Sequence, residues 1–310
     1  MSTHPHPAHL RAASRPLRAA AIQMACSWDL EANLARAEQL VREAAGRGAQ
    51  VILLPELFET PYFCIEQDSR HLALATPLMH NRAVARLREV ARELALVLPV
   101  SFFERDGQAC FNSIAILDGG EVLGVYRKSH IPNGAGYQEK TYFCPGDTGF
   151  RVWNTRFGRI GVGICWDQWF PEAARVMALQ GAELLLYPTA IGSEPPPALD
   201  LNSREHWQRT QQGHAAANLT PLIAANRHGL ERSLQDPQGL YLRFYGSSFI
   251  ADGQGAKVAE AAQEGDAVLL ADFDLAQLAL LRDNWFVFRD RRPDLYGPLL
   301  RLGAGIPAAD

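Results

Sequence analysis

The feature that most constrains this chain is the alternation of short apolar runs with longer stretches of helical periodicity. Arg18–Ala25 and Val51–Pro55 read as buried strands on either side of a helix from Leu30 to Gly46, the pattern of a βαβ unit. A second helix is predicted near Leu78–Leu96. Strands Leu98–Phe103, Phe111–Leu117 and Glu121–Tyr126 follow as a meander, the last two joined by a tight turn at Asp118-Gly119-Gly120. Next come a strand Arg159–Ile164, a helix to Gly181, a strand Glu183–Tyr187 and a helical stretch Ser203–Asn218. The pattern closes with strands Pro221–Asn226, Ser247–Ala251 and Ala267–Phe273 and a helix Asp274–Arg282. Strands separated by helices pair in parallel, so the fold class is α/β, with mixed sheets covered by helices. Neither an internal repeat nor a low-complexity linker divides residues 18–310, which are read as one domain with a C-terminal extension.

Met1–Leu17 is rich in Ala, His, Pro and Arg, lacks periodicity, and is read as a disordered leader. It has no signal-peptide apolar core. The absence of an acid before Asp29 leaves an organelle transit peptide as the alternative. His4-Pro5-His6-Pro7 offers imidazoles without fixed coordination geometry.

With 310 residues, 47% of them hydrophobic, the chain can bury about three quarters of its unfolded surface. A net charge of −4 gives no overall attraction to nucleic acid or anionic lipid, and no apolar run reaches the ~18–20 residues of a membrane span. The expectation is a soluble protein acting on a small molecule. Cys26, Cys64, Cys110, Cys144 and Cys165 are odd in number and scattered, which suits free thiols in the reducing cytoplasm. There is no His-Glu-x-x-His or paired Cys-x-x-Cys cluster, and the glycines of 158–163 lack the spacing of a phosphate loop, so neither metal nor organic cofactor is expected.

Three residues carry candidate chemistry. Cys165 stands between a buried-strand pattern and the helix-start pattern Trp169-Phe170-Pro171-Glu172, a corner that exposes a nucleophile near backbone N–H groups; a small buried hydrophobe is the plainer alternative. Glu56 directly follows an apolar strand, at the carboxyl end where α/β sheets place ligands, or it caps the next turn. Lys128 closes the strand ending at Tyr126. Of 30 basic residues only Lys128, Lys140 and Lys257 are lysines, so each one kept points to work for a compact ammonium, although chance accounts for one or two. A thiol, a carboxylate and an ammonium together make a coherent hydrolase.

Pro55-Glu56, Arg127-Lys128-Ser129-His130-Ile131-Pro132 and Gly163-Ile164-Cys165-Trp166-Asp167 resemble, in order and spacing, the three signature blocks of the nitrilase superfamily of carbon-nitrogen hydrolases. The resemblance runs from about Arg18 to Leu300. It is strongest to the N-carbamoylputrescine amidase branch, through segments such as Tyr142–Phe150, Cys165–Arg175, Tyr187–Pro195 and Phe288–Tyr296. It implies a four-layer αββα sandwich and a homo-oligomer built from dimers. It also implies Glu56 as general base, Lys128 as cationic stabiliser, Cys165 as nucleophile and Glu139 as a second acid near the reacting centre. Relatives that hydrolyse N-carbamoyl amino acids place basic residues after the cysteine, whereas this chain has Trp166-Asp167-Gln168-Trp169. A ureido substrate with a cationic tail fits better, and Trp166, Asp167, Glu194 and Tyr62 are the candidate partners of that tail. Asp167 could instead bond backbone at a helix start, and Glu194 could simply form a turn.

Two other readings are open to test. A Cys–His hydrolase would use His130 or His214, and a non-catalytic relative would bind ureido or amine ligands without turnover.

Overall fold

Side-chain alternation along the first strands explains the layering. In β1 (Pro16–Gln23), Leu17, Ala19 and Ala21 enter one apolar cluster while Ala20 and Ile22 enter another. In β2 (Val51–Leu53), Val51 and Leu53 join the first cluster and Ile52 the second. Strands buried on both faces need cover on both sides. The computed structural model, which describes residues 13–193 and 203–303, shows what supplies it.

The remaining elements are α1 (Leu30–Gly46), α2 (Arg82–Glu93), β3 (Val97–Asp106), β4 (Ala109–Asp118), β5 (Glu121–Arg127), β6 (Val152–Thr155), β7 (Gly158–Val162), α3 (Pro171–Leu179), β8 (Leu184–Thr189), α4 (Ser203–Asn218), β9 (Leu222–Asn226), β10 (His228–Arg232), β11 (Tyr241–Tyr245), β12 (Phe249–Ala251), β13 (Lys257–Glu260), β14 (Ala267–Asp274) and α5 (Leu275–Trp285). One six-stranded sheet runs β14-β1-β2-β3-β4-β5 and the other β13-β12-β9-β8-β7-β6. The strands β1, β2 and β3 are parallel, as are β7, β8 and β9, and the flanking strands are antiparallel.

Inner faces of the sheets meet through Leu53, Ile114, Ile116, Val162, Leu186 and Ile223. Leu34, Leu40 and Val41 of α1 and Leu87 and Val90 of α2 cover the outer face of the first sheet. Met177 of α3 and Trp207 and Ala215 of α4 cover the second, against Leu185, Leu222 and Phe249. The result is the expected αββα sandwich. Among the described residues no helix is long and apolar enough to cross a membrane, and all five cysteines are free thiols.

Boundaries differ where capping decides them. The helix expected over Leu78–Leu96 begins at Arg82, because the Asn81 side chain accepts from the Val84 N–H at 2.8 Å, worth about 1 kcal/mol as an N-cap. The leader boundary also moves. Pro16 and Leu17 belong to β1, and the segment before them is tied down: the Ser14 hydroxyl and Arg15 N–H donate to Asp274 at 2.8 and 3.0 Å, and Arg15 pairs with Glu183 at 2.7 Å. Residues 1–12 lie outside the described residues. Strands β6, β10, β11 and β13 have no counterpart in the sequence pattern. β10 and β11 form a separate two-stranded ribbon that is part-buried, with Glu231, Leu242 and Phe244 turned inward, and its short strands, interrupted by Gly229, Glu231 and Arg243, give no clear strand signal.

Candidate active site

The parallel strands of both sheets deliver their carboxyl ends to one place, and backbone bonds lock them there. The chain leaves β2 through Leu54-Pro55 to Glu56, whose N–H donates to Thr189 O at the end of β8. Leu57 then takes a left-handed φ of 47°, with its N–H on the Ser101 hydroxyl at 2.9 Å. Beyond β5, the Lys128 N–H donates to Asn112 O and Lys128 O accepts from the Gly146 N–H, each at 2.8 Å. Only glycine fits at 146: a Cβ there would lie 2.1 Å from Arg127 O.

Cys165 follows β7 with φ 41°, a conformation costing a non-glycine residue roughly 1–2 kcal/mol. Asp167 stabilises this corner. Its Oδ2 accepts from the Ile164 N–H at 2.9 Å and the Tyr126 hydroxyl at 2.7 Å, and its Oδ1 accepts from the His130 N–H at 3.0 Å and meets His130 Nδ1 at 2.7 Å. Cys165 stands between β7 and α3, which starts at Pro171 within the expected helix-start pattern, and a 3-10 turn, Cys165–Trp169, fills the corner.

Lys128 Nζ sits at the centre of the buried charges. It donates to Glu56 Oε1 at 2.8 Å and to Glu139 Oε1 and Oε2 at 2.9 and 2.7 Å, and all three side chains are fully buried. Burial alone would lower the ammonium's pKa; the charges of Glu139, Glu56 and Cys165 outweigh it and hold the pKa well above the ordinary lysine value. Burial pushes Glu139 up to about 7 against the pull of Lys128, while the Tyr62 hydroxyl donates to Glu139 Oε1 at 2.5 Å. Asn112 Nδ2 donates to Glu56 Oε1 at 2.6 Å, and Glu56 Oε2 has no hydrogen-bond partner.

The charges acting on the Cys165 thiol come from Glu56, Lys128 and Glu139. Burial, followed by Glu56, raises its pKa well above the ordinary thiol value, and Lys128 opposes this only in part. Burial and Glu56 both favour the protonated thiol. A base must take its proton, and Glu56 is the carboxylate that acts most strongly on the sulfur.

Cys165 opens onto a cavity of about 370 Å³ walled by Trp166, Trp169, Tyr137, Pro132, Ile191 and Ala190, with Gln168, Gly192, Ser203 and His206 completing the lining. Trp166 lines it as expected. Asp167 and Tyr62 do not: Asp167 is fully buried on the backbone and side-chain bonds given above, and Tyr62 is 1% exposed with its hydroxyl on Glu139. Both polar groups are consumed inside the protein, so neither is available to a substrate tail. Glu194 lies outside the described residues.

Sequence reasoning missed Asn112, Gln168 and Arg227. Asn112 is a lone amide in the apolar run of β4, and Arg227 follows the apolar strand β9, the same position relative to a strand that singled out Glu56. Gln168 ties the turn to α4, its Oε1 accepting from Trp207 Nε1 at 2.8 Å and Gln211 Nε2 at 2.6 Å. The hydrogen bonds of both histidines of the rival reading go elsewhere than to the sulfur, His130 to Asp167 and His214 to Gln168, while Cys165 Sγ faces Ala190 O. His130 stacks on Phe170 with ring centroids 3.6 Å apart, and His214 Nε2 donates to Gln168 O at 2.8 Å.

A double α/β sandwich holding a thiol beside a buried carboxylate–ammonium–carboxylate cluster defines a hydrolase directed at amide-like carbon–nitrogen bonds. The carbon-nitrogen hydrolase family model matches residues 18–283, and the chain belongs to that family. It is 54% identical over 293 residues to an N-carbamoylputrescine amidase of Arabidopsis thaliana, covering 94% of this chain and 98% of that one. It is 51% identical to a citrullinase of Francisella tularensis, covering 92% and 98%. The crystal structure of a carbon-nitrogen hydrolase from Helicobacter pylori G27 superposes with a TM-score of 0.87 at 35% identity, covering 93% of this chain and all of that one.

Proposed function

We propose that the protein hydrolyses N-carbamoylputrescine to putrescine, ammonia and carbon dioxide. The observation that carries the reading is the buried Glu56–Lys128–Glu139 cluster acting on the Cys165 thiol. Glu56 takes the thiol proton as sulfur attacks the ureido carbon, and the Lys128 ammonium with the Trp166 backbone N–H stabilises the oxyanion. The C–N bond breaks as Glu56 returns the proton to the departing nitrogen. Water, deprotonated by Glu56, then cleaves the C–S bond and restores the thiol, and the carbamate released in the course of the reaction loses carbon dioxide. Glu139 holds Lys128 in place.

Identity above 50% to enzymes named for this substrate supports the choice, and so does the cavity. Its described lining contains three large aromatic rings, which suit an ammonium tail, and no Lys or Arg that would pair a carboxylate. Glu194 remains the proposed ion-pair partner of that tail. Likeness to the citrullinase favours one further candidate, a ureido amino acid, which shares the reacting group but carries a carboxylate.

Ammonia release from N-carbamoylputrescine, citrulline, N-carbamoyl-β-alanine, glutaramate and a simple nitrile tests the reading. The expected order puts N-carbamoylputrescine first in kcat/KM. Preference for any of the substrates bearing a carboxylate would refute the cationic-tail argument, and saturable binding with no ammonia release would mark a binding protein.

A further inference from the structure

Arg227 is fully buried, emerges from the end of β9 in the second sheet, and reaches the backbone of the segment that carries Glu56 in the first. One guanidinium nitrogen donates to Glu56 O at 2.7 Å and Leu57 O at 3.0 Å. The other donates to Thr60 O at 3.1 Å and to Glu231 Oε1 at 2.9 Å. Glu231 Oε2 in turn accepts from the Tyr62 N–H at 2.5 Å, and the Tyr62 hydroxyl donates to Glu139. The pair thus holds both ends of residues 56–62: one end presents Glu56, and the other presents the hydroxyl that orients Glu139.

We propose that Arg227 and Glu231 form a positioning pair that sets the separation of the Glu56 and Glu139 carboxylates around Lys128. The geometry requires the arginine fork. Its two nitrogens meet three carbonyls and a carboxylate at once and hold the left-handed turn at Leu57, which a lysine ammonium with a single nitrogen cannot span. The inference concerns catalytic geometry and holds for whichever amide-like substrate the enzyme takes.

Arg227→Lys keeps the charge and loses the fork. The expected result is a folded chain whose kcat falls about 10²-fold, as for a misplacement near 1 Å, with KM changed less than about twofold. Alkylation of Cys165 by iodoacetamide at pH 8, followed by peptide mass analysis, should slow in parallel. That readout needs no substrate, so slowed alkylation in the variant beside a parent inactive on N-carbamoylputrescine would fault the substrate reading and leave this one standing. Tyr62→Phe cuts only the arm to Glu139 and should move the acid limb of the kcat/KM profile, taken with any substrate the parent turns over, to higher pH. A merely structural residue would leave that limb in place. Parent-like kcat and alkylation in folded Arg227→Lys would overturn the proposal. Should Arg227→Lys fail to fold, Tyr62→Phe decides, and an unmoved limb overturns it.

Discussion

Replacing Lys128 by Met removes three hydrogen bonds of 2.7–2.9 Å and leaves Glu56 and Glu139 facing each other, both fully buried. Breaking a buried ion pair from one side costs about 3–5 kcal/mol, because the remaining charge has no compensation. For a chain of this size a kilocalorie moves the melting temperature by about 2 °C, so a fall of roughly 6–10 °C at pH 8 is expected. The pH dependence follows from the proton balance. Glu139 stands at about 7 even with the ammonium beside it, and without that cation it moves higher. Its folded pKa then exceeds its unfolded value of about 4.3 by more, so the folded state binds the extra proton and stability falls as pH rises between the two. The deficit relative to the parent should be largest near pH 8 and shrink toward pH 5. Melting curves across this range test it, with ammonia release measured on the same samples and expected to fall by at least about 10²-fold. Parent-like melting at pH 8, or a deficit that grows on acidification, would refute the electrostatic account.

Cys165→Gly and Cys165→Ala should both abolish turnover, yet the glycine variant should be the more stable by about 1 kcal/mol in denaturant titration, because φ at this position is 41°. Asn112→Ala removes the 2.6 Å bond to Glu56 Oε1 and should lower kcat about tenfold with little change in KM, read in steady-state kinetics. In the parent, kcat/KM should show an acid limb near pH 7 from Glu139, and that limb should disappear from whatever activity Glu139→Gln retains.

The alternation of apolar runs and helical stretches was enough to place most strands in mixed sheets covered by helices, because strands buried on both faces must be covered on both, while the stacking of two such sheets into four layers came from the resemblance. The same rule, a polar residue at the carboxyl end of an apolar strand, marked Glu56 directly and would have marked Arg227. The cysteine corner and the scarcity of lysine drew attention to Cys165 and Lys128, and resemblance added Glu139. Local pattern could not tell whether a polar group is available to a substrate or consumed internally. Asp167 and Tyr62 are suitable in type for an ammonium tail, but Asp167 is taken up by Ile164, Tyr126 and His130, and Tyr62 by Glu139 and Glu231. Nor could it show that the thiol's pKa is raised, since that follows from burial and from the Glu56 carboxylate outweighing the Lys128 ammonium. Hydrogen bonds between residues more than 150 positions apart, such as Arg227 to Glu56, arise only when two sheets are stacked, and they decide which of the eligible residues face the reacting carbon.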